Sequence, residues 1–190
     1  MMRQSKTVYF NEQGNVNTEK VIDLVIKTAK KNNINQVVMF AGRMKSISLF
    51  LEKAKDSEIE LIVATYANGR TFSVIDKETD EEHLIESEVS TKEIRSELEK
   101  MGVKYVQGLE PLQPILSYTG DHSMEMIVST LKMISNSLPL CVNAAIMAYE
   151  NGFVDGKIIA FSGDTAIITT PTFKKDLFDF KIHEILCKPE

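Results

Sequence analysis

The sequence predicts an α/β protein with a largely parallel sheet, and three observations carry that expectation. The runs from Gln36 to Ala41 and from Glu60 to Thr65 are continuously apolar rather than alternating, the pattern of strands buried on both faces. The stretches before and between them repeat their apolar residues at the helical period. Strand, helix and strand in that order require a right-handed crossover and hence a parallel pair.

Taken in order, VYF near the start reads as a short strand, and Asn17 or Thr18 stands ready to cap a helix with apolar positions Val21, Leu24, Val25, Thr28 and Ala29. That helix ends near KKNNIN. After the first buried strand, Gly42 to Ser46 turns into a second helix, Ile47 to Ala54, which leads to the second buried strand. Residues 71–88, where TFSVI and HLIESEV flank the polar DKETDEE, read as a hairpin insertion with a solvated acidic tip. Ser90 to Glu93 has the pattern of a capping box, opening a helix that stops at Gly102, and VKYVQ follows as a strand. Gly108 to Gly120, with Pro111 and Pro114, is a connecting loop. One helix is expected from Ser123 to Ser137, with Ile127, Leu131, Ile134 and Leu138 on one stripe, and a buried one from Leu140 to Asn151. A strand is then expected at Lys157 to Ser162, with AIIT a short strand of its own or the continuation of that one, and a terminal strand at Phe180 to Leu186.

The chain has 190 residues, 43% hydrophobic and 26% charged, with a formal charge of -5, and reads as one globular domain, 1–190. The acidic balance argues against a nucleic-acid surface, and the absence of a long apolar run argues against a membrane span. Two cysteines, Cys141 and Cys187, fit neither a metal spacing nor a disulfide framework, so a cytoplasmic, metal-free protein is expected.

In an open sheet of this type, ligands bind beyond the carboxyl ends of the strands, and three loops qualify. They are Asn15 to Thr18, Ala41 to Ser46 and Ser162 to Thr165. Helix starts present unpaired N–H groups and a partial positive charge, while Gly42 and Gly163 let a phosphate approach the backbone. Arg43 and Lys45 add charge, and Ser46 and Thr165 offer hydroxyls. The same pattern also describes plain turns and solvated lysines. Asp164 has two readings: it fixes its turn by accepting backbone N–H groups, or it binds a ligand hydroxyl. His122, beside Asp121, and His183 are expected at the surface, and the cysteines as buried structural thiols.

Two long stretches resemble a known family. YFNEQGNVNTEKVIDLVIKTAKKNNINQVVMFA near the start and NAAIMAYENGFVDGKIIAFSGDTAIITTPTFKKDLFDFKIHEILCKP near the end, with the weaker TYANGRTF and MGVKYV between, look like the stand-alone proteins similar to the C-terminal domain of pyruvate kinase. Asn17-Thr18, Met147-Ala148 and Gly163-Asp164-Thr165-Ala166 carry the match. The resemblance implies a three-layer α/β/α sandwich with a mostly parallel sheet of about five strands and an antiparallel edge strand. It implies a regulatory domain without the barrel that transfers phosphate, and a crevice for a sugar phosphate or flavin mononucleotide (FMN). Two departures stand out. Phe40 to Ser46 replaces a loop that in the family is rich in Ser and Thr, and the late loop lacks the additional glycines that relatives carry, going straight from Ser162 to Gly163 and Asp164.

The function expected is therefore a non-catalytic or regulatory module that binds a phosphorylated small molecule through Asn17, Thr18, Gly42, Arg43, Lys45, Ser46, Gly163, Asp164 and Thr165. The alternatives are a homo-oligomerising structural protein with a degenerate crevice and a flavin-dependent enzyme with His122 or Asp164 as acid/base.

Overall fold

A computed structural model describes residues 4–75, 82–113 and 122–190. The acidic tip at 76–81, the loop at 114–120 and Asp121 lie outside the described residues.

Strands β1 (Val8–Phe10), β2 (Gln36–Phe40), β3 (Glu60–Tyr66), β6 (Lys104–Gly108), β7 (Ile158–Ser162), β8 (Thr165–Thr170) and β9 (Lys181–Pro189) form a 7-stranded sheet in the order β1-β9-β8-β7-β2-β3-β6. Every neighbouring pair is parallel except β7 with β8 and β8 with β9. The fold is thus an α/β sandwich on a mostly parallel sheet. Two details depart from the expected five strands with a reversed edge. The short strands β1 and β6 extend the sheet, and the reversed strand β8 lies inside it. The residues Gly163 and Asp164 alone connect β7 to β8, so β8 must fold straight back beside its predecessor, and β9 then covers its open side.

Helices α1 (Thr18–Asn32), α2 (Met44–Ala54) and α3 (Lys92–Lys100) cover one face, α5 (Leu138–Glu150) covers the other, and α4 (Ser123–Lys132) lies outside α5. The alternation of β2 divides the core. Val37 and Met39 pack with Val21, Ile47 and Phe50, whereas Val38 and Phe40 pack with Leu138, Ala144 and Ala145. Helix α1 buries Val21, Ile22, Val25, Ile26 and Ala29 as one stripe, and Asn33 ends it at φ 54 with its N–H bonded to the Ala29 carbonyl. Helix α5 buries ten of the eleven positions from Leu138 to Ala148, all but Leu140, because it is enclosed between the sheet and α4.

The expected helix from Ser123 to Ser137 is shorter. It ends at Lys132, Ile134 lies beyond it and is 39% exposed, and α5 starts at Leu138 with Pro139 in its first turn. The hairpin appears as expected: β4 (Thr71–Ile75) and β5 (Glu82–Glu86) pair antiparallel in a sheet of their own. Among the described residues, no helix is long and apolar enough to cross a membrane.

Candidate functional site

After β6 the chain changes from one face of the sheet to the other, returning through α5 to place β7 beside β2. That reversal separates the helices α2 and α5 and opens a crevice at the carboxyl ends of β2, β3 and β7. The cavity has a volume of about 560 Å³ and is bordered by Met39 and Phe40, by Tyr66, and by Phe161 and Ser162 at those strand ends. Its size lies within the ~300–1,000 Å³ usual for small-molecule sites.

The starts of three helices reach it. Thr18 opens α1, Gly42, Arg43 and Ser46 surround the start of α2, and Ser137 and Leu140 bring the start of α5. Each adds the positive end of a helix dipole. The turn between β7 and β8 joins them through Gly163, which has φ 56. A β-carbon there would lie 3.5 Å from Ser137 Oγ and 3.8 Å from Asn15 Oδ1, so Gly163 sits where the first loop, the last turn and α5 meet. Gly14, at φ 88, makes the corresponding bend before the 3-10 turn Asn15–Asn17.

Buried polar residues fix this framework. Asp164 is 3% exposed; its Oδ2 accepts the Gly14 N–H at 2.6 Å and its Oδ1 accepts the Thr165 hydroxyl at 3.0 Å. Thr165 Oγ1 lies 2.5 Å from Ser135 Oγ, which in turn accepts the Ser137 N–H at 3.2 Å. A single network therefore joins the first loop, the late turn and the start of α5. On the other side, Thr65 donates to the Ala41 carbonyl at 2.7 Å and Ser162 to the Phe40 carbonyl at 3.2 Å.

Of the residues expected to bind, Thr18, Gly42, Arg43, Ser46 and Gly163 border the cavity together. Asn17, Lys45, Asp164 and Thr165 do not. Asn17 is buried with its side chain turned back to the Glu12 carbonyl at 2.6 Å, and it makes no side-chain cap on α1. Lys45 is exposed two positions beyond Arg43. Asp164 and Thr165 hold the loops, Asp164 by accepting the Gly14 N–H and the Thr165 hydroxyl. Nor does Gly42 need to be glycine for its conformation: its φ is not positive, and a β-carbon there meets nothing within 4 Å.

The hairpin supplies a wall that the loop argument does not include. Phe72, Ile85, Glu86, Ser87 and Glu88 all border the cavity. Tyr66 connects this wall to the sheet, packing edge-on against Phe40 at 4.7 Å and against Phe72 at 4.6 Å. Burial, together with the nearby Glu110 carboxylate and against the pull of Arg70, pushes the Tyr66 hydroxyl up to about 12, so it stays a neutral phenol at physiological pH. Glu88 Oε2 accepts the Met44 N–H at 3.3 Å, putting a protein carboxylate on the start of α2. Glu86 Oε1 accepts the Gly69 N–H at 3.0 Å. The sequence signal for this wall was the pair of runs TFSVI and HLIES, but a hairpin's own pattern does not say what its base packs over.

Among the described residues, two buried side-chain hydroxyls have no hydrogen-bond partner, Thr18 Oγ1 and Ser87 Oγ. Both residues border this crevice. Buried polar atoms are nearly always satisfied, so two unpartnered hydroxyls on residues that border one cavity are an exception to the rule.

The other titratable candidates lie elsewhere. His122 precedes α4 and pairs through Nδ1 with Glu125 Oε2 at 2.8 Å on the surface, and His183 Nε2 meets Thr170 Oγ1 at 2.8 Å. Cys141 and Cys187 are buried, and burial raises both thiols, Cys187 to about 12. Among the described residues, no group of three or more His, Cys, Asp or Glu side chains is arranged to hold a metal ion. No protein-family model matches the chain.

Proposed function

We propose that this protein is a non-catalytic, regulatory binding module for a phosphorylated small molecule, held in the crevice at the ends of β2, β3 and β7. The observation that carries this reading is that three helix starts and the Gly163 turn open onto one cavity at the reversal of the sheet. Arg43 is the cation on that cavity and neutralises the phosphate, while Thr18, Ser46 and Ser137 offer hydroxyl donors. FMN and sugar phosphates are the candidate ligands, as the likeness to the C-terminal domain of pyruvate kinase implies. The size of the cavity, its aromatic edge and its two unpartnered hydroxyls fit FMN, which would bring redox chemistry with it.

Native mass spectrometry of protein purified from its own cytosol, followed by release of the bound molecule, identifies the ligand. Arg43→Ala is expected to weaken binding of that molecule by more than about tenfold at low salt, and Lys45→Ala to leave it unchanged. Equal affinity of Arg43→Ala and wild type overturns the assignment.

A second reading, self-association, is favoured by one surface. Phe178 is 94% exposed beside an apolar groove bordered by Leu112, Ile127, Leu131 and Ile182. A concentration-dependent mass that Phe178→Asp abolishes would support a homo-oligomer, and an unchanged mass would reject it.

A further inference from the structure

We infer that the protein carries a second ligand site, beside the crevice, and that it takes a small amino acid bearing a side-chain carboxylate. The site is a cavity of about 310 Å³ between the base of the hairpin, the turn after β6, α4 and the start of α5. Of the residues on the two cavities only Leu140 borders both, so the inference stands apart from the phosphorylated-ligand reading.

Three charged residues border this cavity, Arg70, Glu110 and Lys132. Arg70 is near enough to Glu110 to oppose the rise of its pKa, yet among the described residues no ion pair joins any of the three to a partner. Arg70 and Lys132 are exposed and solvated, but Glu110 is half-buried, and burial raises its carboxyl above the ordinary 4.5. What holds Glu110 in place is Asn143, which is 3% exposed in a helix otherwise apolar from Leu138 to Ala148. The Asn143 side chain accepts the Leu112 N–H at 2.8 Å and donates to Glu110 Oε2 at 3.5 Å. That one long bond leaves most of the roughly four acceptor positions of the carboxylate open. A half-buried carboxylate, fixed in position and lacking a counter-ion, is a cost to the empty protein, and an ammonium group on a ligand offsets it.

The rest of the cavity specifies what that ammonium must be attached to. Its two cations against one carboxylate favour a ligand with one net negative charge: an ammonium for Glu110 and two carboxylates for Arg70 and Lys132. The Arg70 guanidinium matches a carboxylate with two parallel N–H donors. Leu112, Val128 and Leu140 border the same space and suit the methylene chain between the charged ends. A plain dicarboxylate or an inorganic phosphate leaves Glu110 unmatched and is repelled by it. The volume stands at the lower end of the ~300–1,000 Å³ usual for small-molecule sites, in keeping with a molecule of amino-acid size.

Calorimetric titration at low salt and pH 7 with L-glutamate, L-aspartate, and their ammonium-free counterparts glutarate and succinate tests the inference on wild type, Glu110→Gln, Lys132→Ala and Arg43→Ala. Wild type should bind at least one of the amino acids about tenfold or more tightly than its counterpart. Glu110→Gln should weaken that amino acid about tenfold and leave the dicarboxylate unchanged or tighter, so the preference disappears. This variant should melt no lower than wild type at pH 7, because it removes a buried charge, which separates lost binding from lost folding. Lys132→Ala should weaken amino acid and dicarboxylate alike, and Arg43→Ala should change neither. The inference is overturned if wild type binds neither amino acid, if it binds the dicarboxylates equally well, or if the preference survives Glu110→Gln. A loss in Arg43→Ala as large as that in Lys132→Ala also overturns it, because the ligand would then lie in the crevice.

Discussion

Removing the Asp164 carboxylate should disconnect three parts of the molecule at once. Its two oxygens hold the Gly14 N–H at 2.6 Å and the Thr165 hydroxyl at 3.0 Å, and Thr165 continues to Ser135 and so to the start of α5. Hydrogen bonds to a charged group contribute about 1.5–3 kcal/mol each, and Asp164→Ala loses two, at a site 3% exposed where water does not easily replace them. Allowing for the desolvation that the alanine no longer requires, the expected loss is about 3 kcal/mol, or roughly 6–12 °C in melting temperature for a chain of this length. Asp164→Asn keeps the shape. Its amide oxygen can accept the Gly14 N–H while its NH₂ turns to Thr165 Oγ1, so only the charge assistance goes and the loss should be about 1 kcal/mol. Urea denaturation followed by circular dichroism measures both, with the denaturant slope unchanged if only stability is affected. The reasoning is refuted if Asp164→Ala falls within about 0.5 kcal/mol of wild type, or if the asparagine variant loses as much as the alanine one.

The two crevice glycines should respond in opposite directions: Gly163→Ala is expected to cost about 1–2 kcal/mol because alanine resists φ 56, whereas Gly42→Ala should gain up to about 1 kcal/mol, since its β-carbon meets nothing within 4 Å. A pair of denaturation curves decides it, and equal shifts would contradict the backbone geometry. Cys141 and Cys187 should ignore a thiol reagent at pH 8 in native protein and both react once it is denatured, because burial removes access and raises both thiols; fast labelling of native protein would be inconsistent with the packing. Burial also raises Glu110 above its ordinary 4.5, against the opposing pull of Arg70. Its folded pKa exceeds its unfolded one, so its contribution is fully present below the ordinary carboxyl range and is lost as pH rises through the raised value. Glu110→Gln should therefore be at least as stable as wild type at pH 7, with the difference closing below about pH 4, and a wild-type advantage at pH 7 would reverse the sign.

The parts of the fold legible in sequence are those where one physical signal dominates. The uninterrupted apolar runs of β2 and β3 could only be strands buried on both faces, and the 3.6-residue stripe of α1 could only be a helix lying on a core. The reversed interior strand β8 was harder, because AIIT alone is too short to show which neighbour it pairs with; the two-residue turn at Gly163 decides that. Of the residues singled out by glycines and loop positions, Thr18, Gly42, Arg43, Ser46 and Gly163 border the crevice. Asn17, Asp164 and Thr165 have the chemistry of ligand contacts but spend it on the protein's own backbone and hydroxyls, which only the tertiary contacts reveal. Ser87 and Glu88 were missed for the converse reason. Nothing local distinguishes a serine on a hairpin base that faces solvent from one folded over a cavity.

The crevice draws its walls from Gly14 and Asn15 near one end of the chain and from Gly163 near the other, and the Asp164 bond to Gly14 spans 150 residues. Contacts so distant along the chain close late, after the intervening strands are laid down. A nascent or partly refolded molecule lacking β7 and β8 has no site to offer, however native its first half. Recovery of ligand affinity during refolding should therefore lag behind recovery of helix signal, which makes occupancy a reporter of completed assembly.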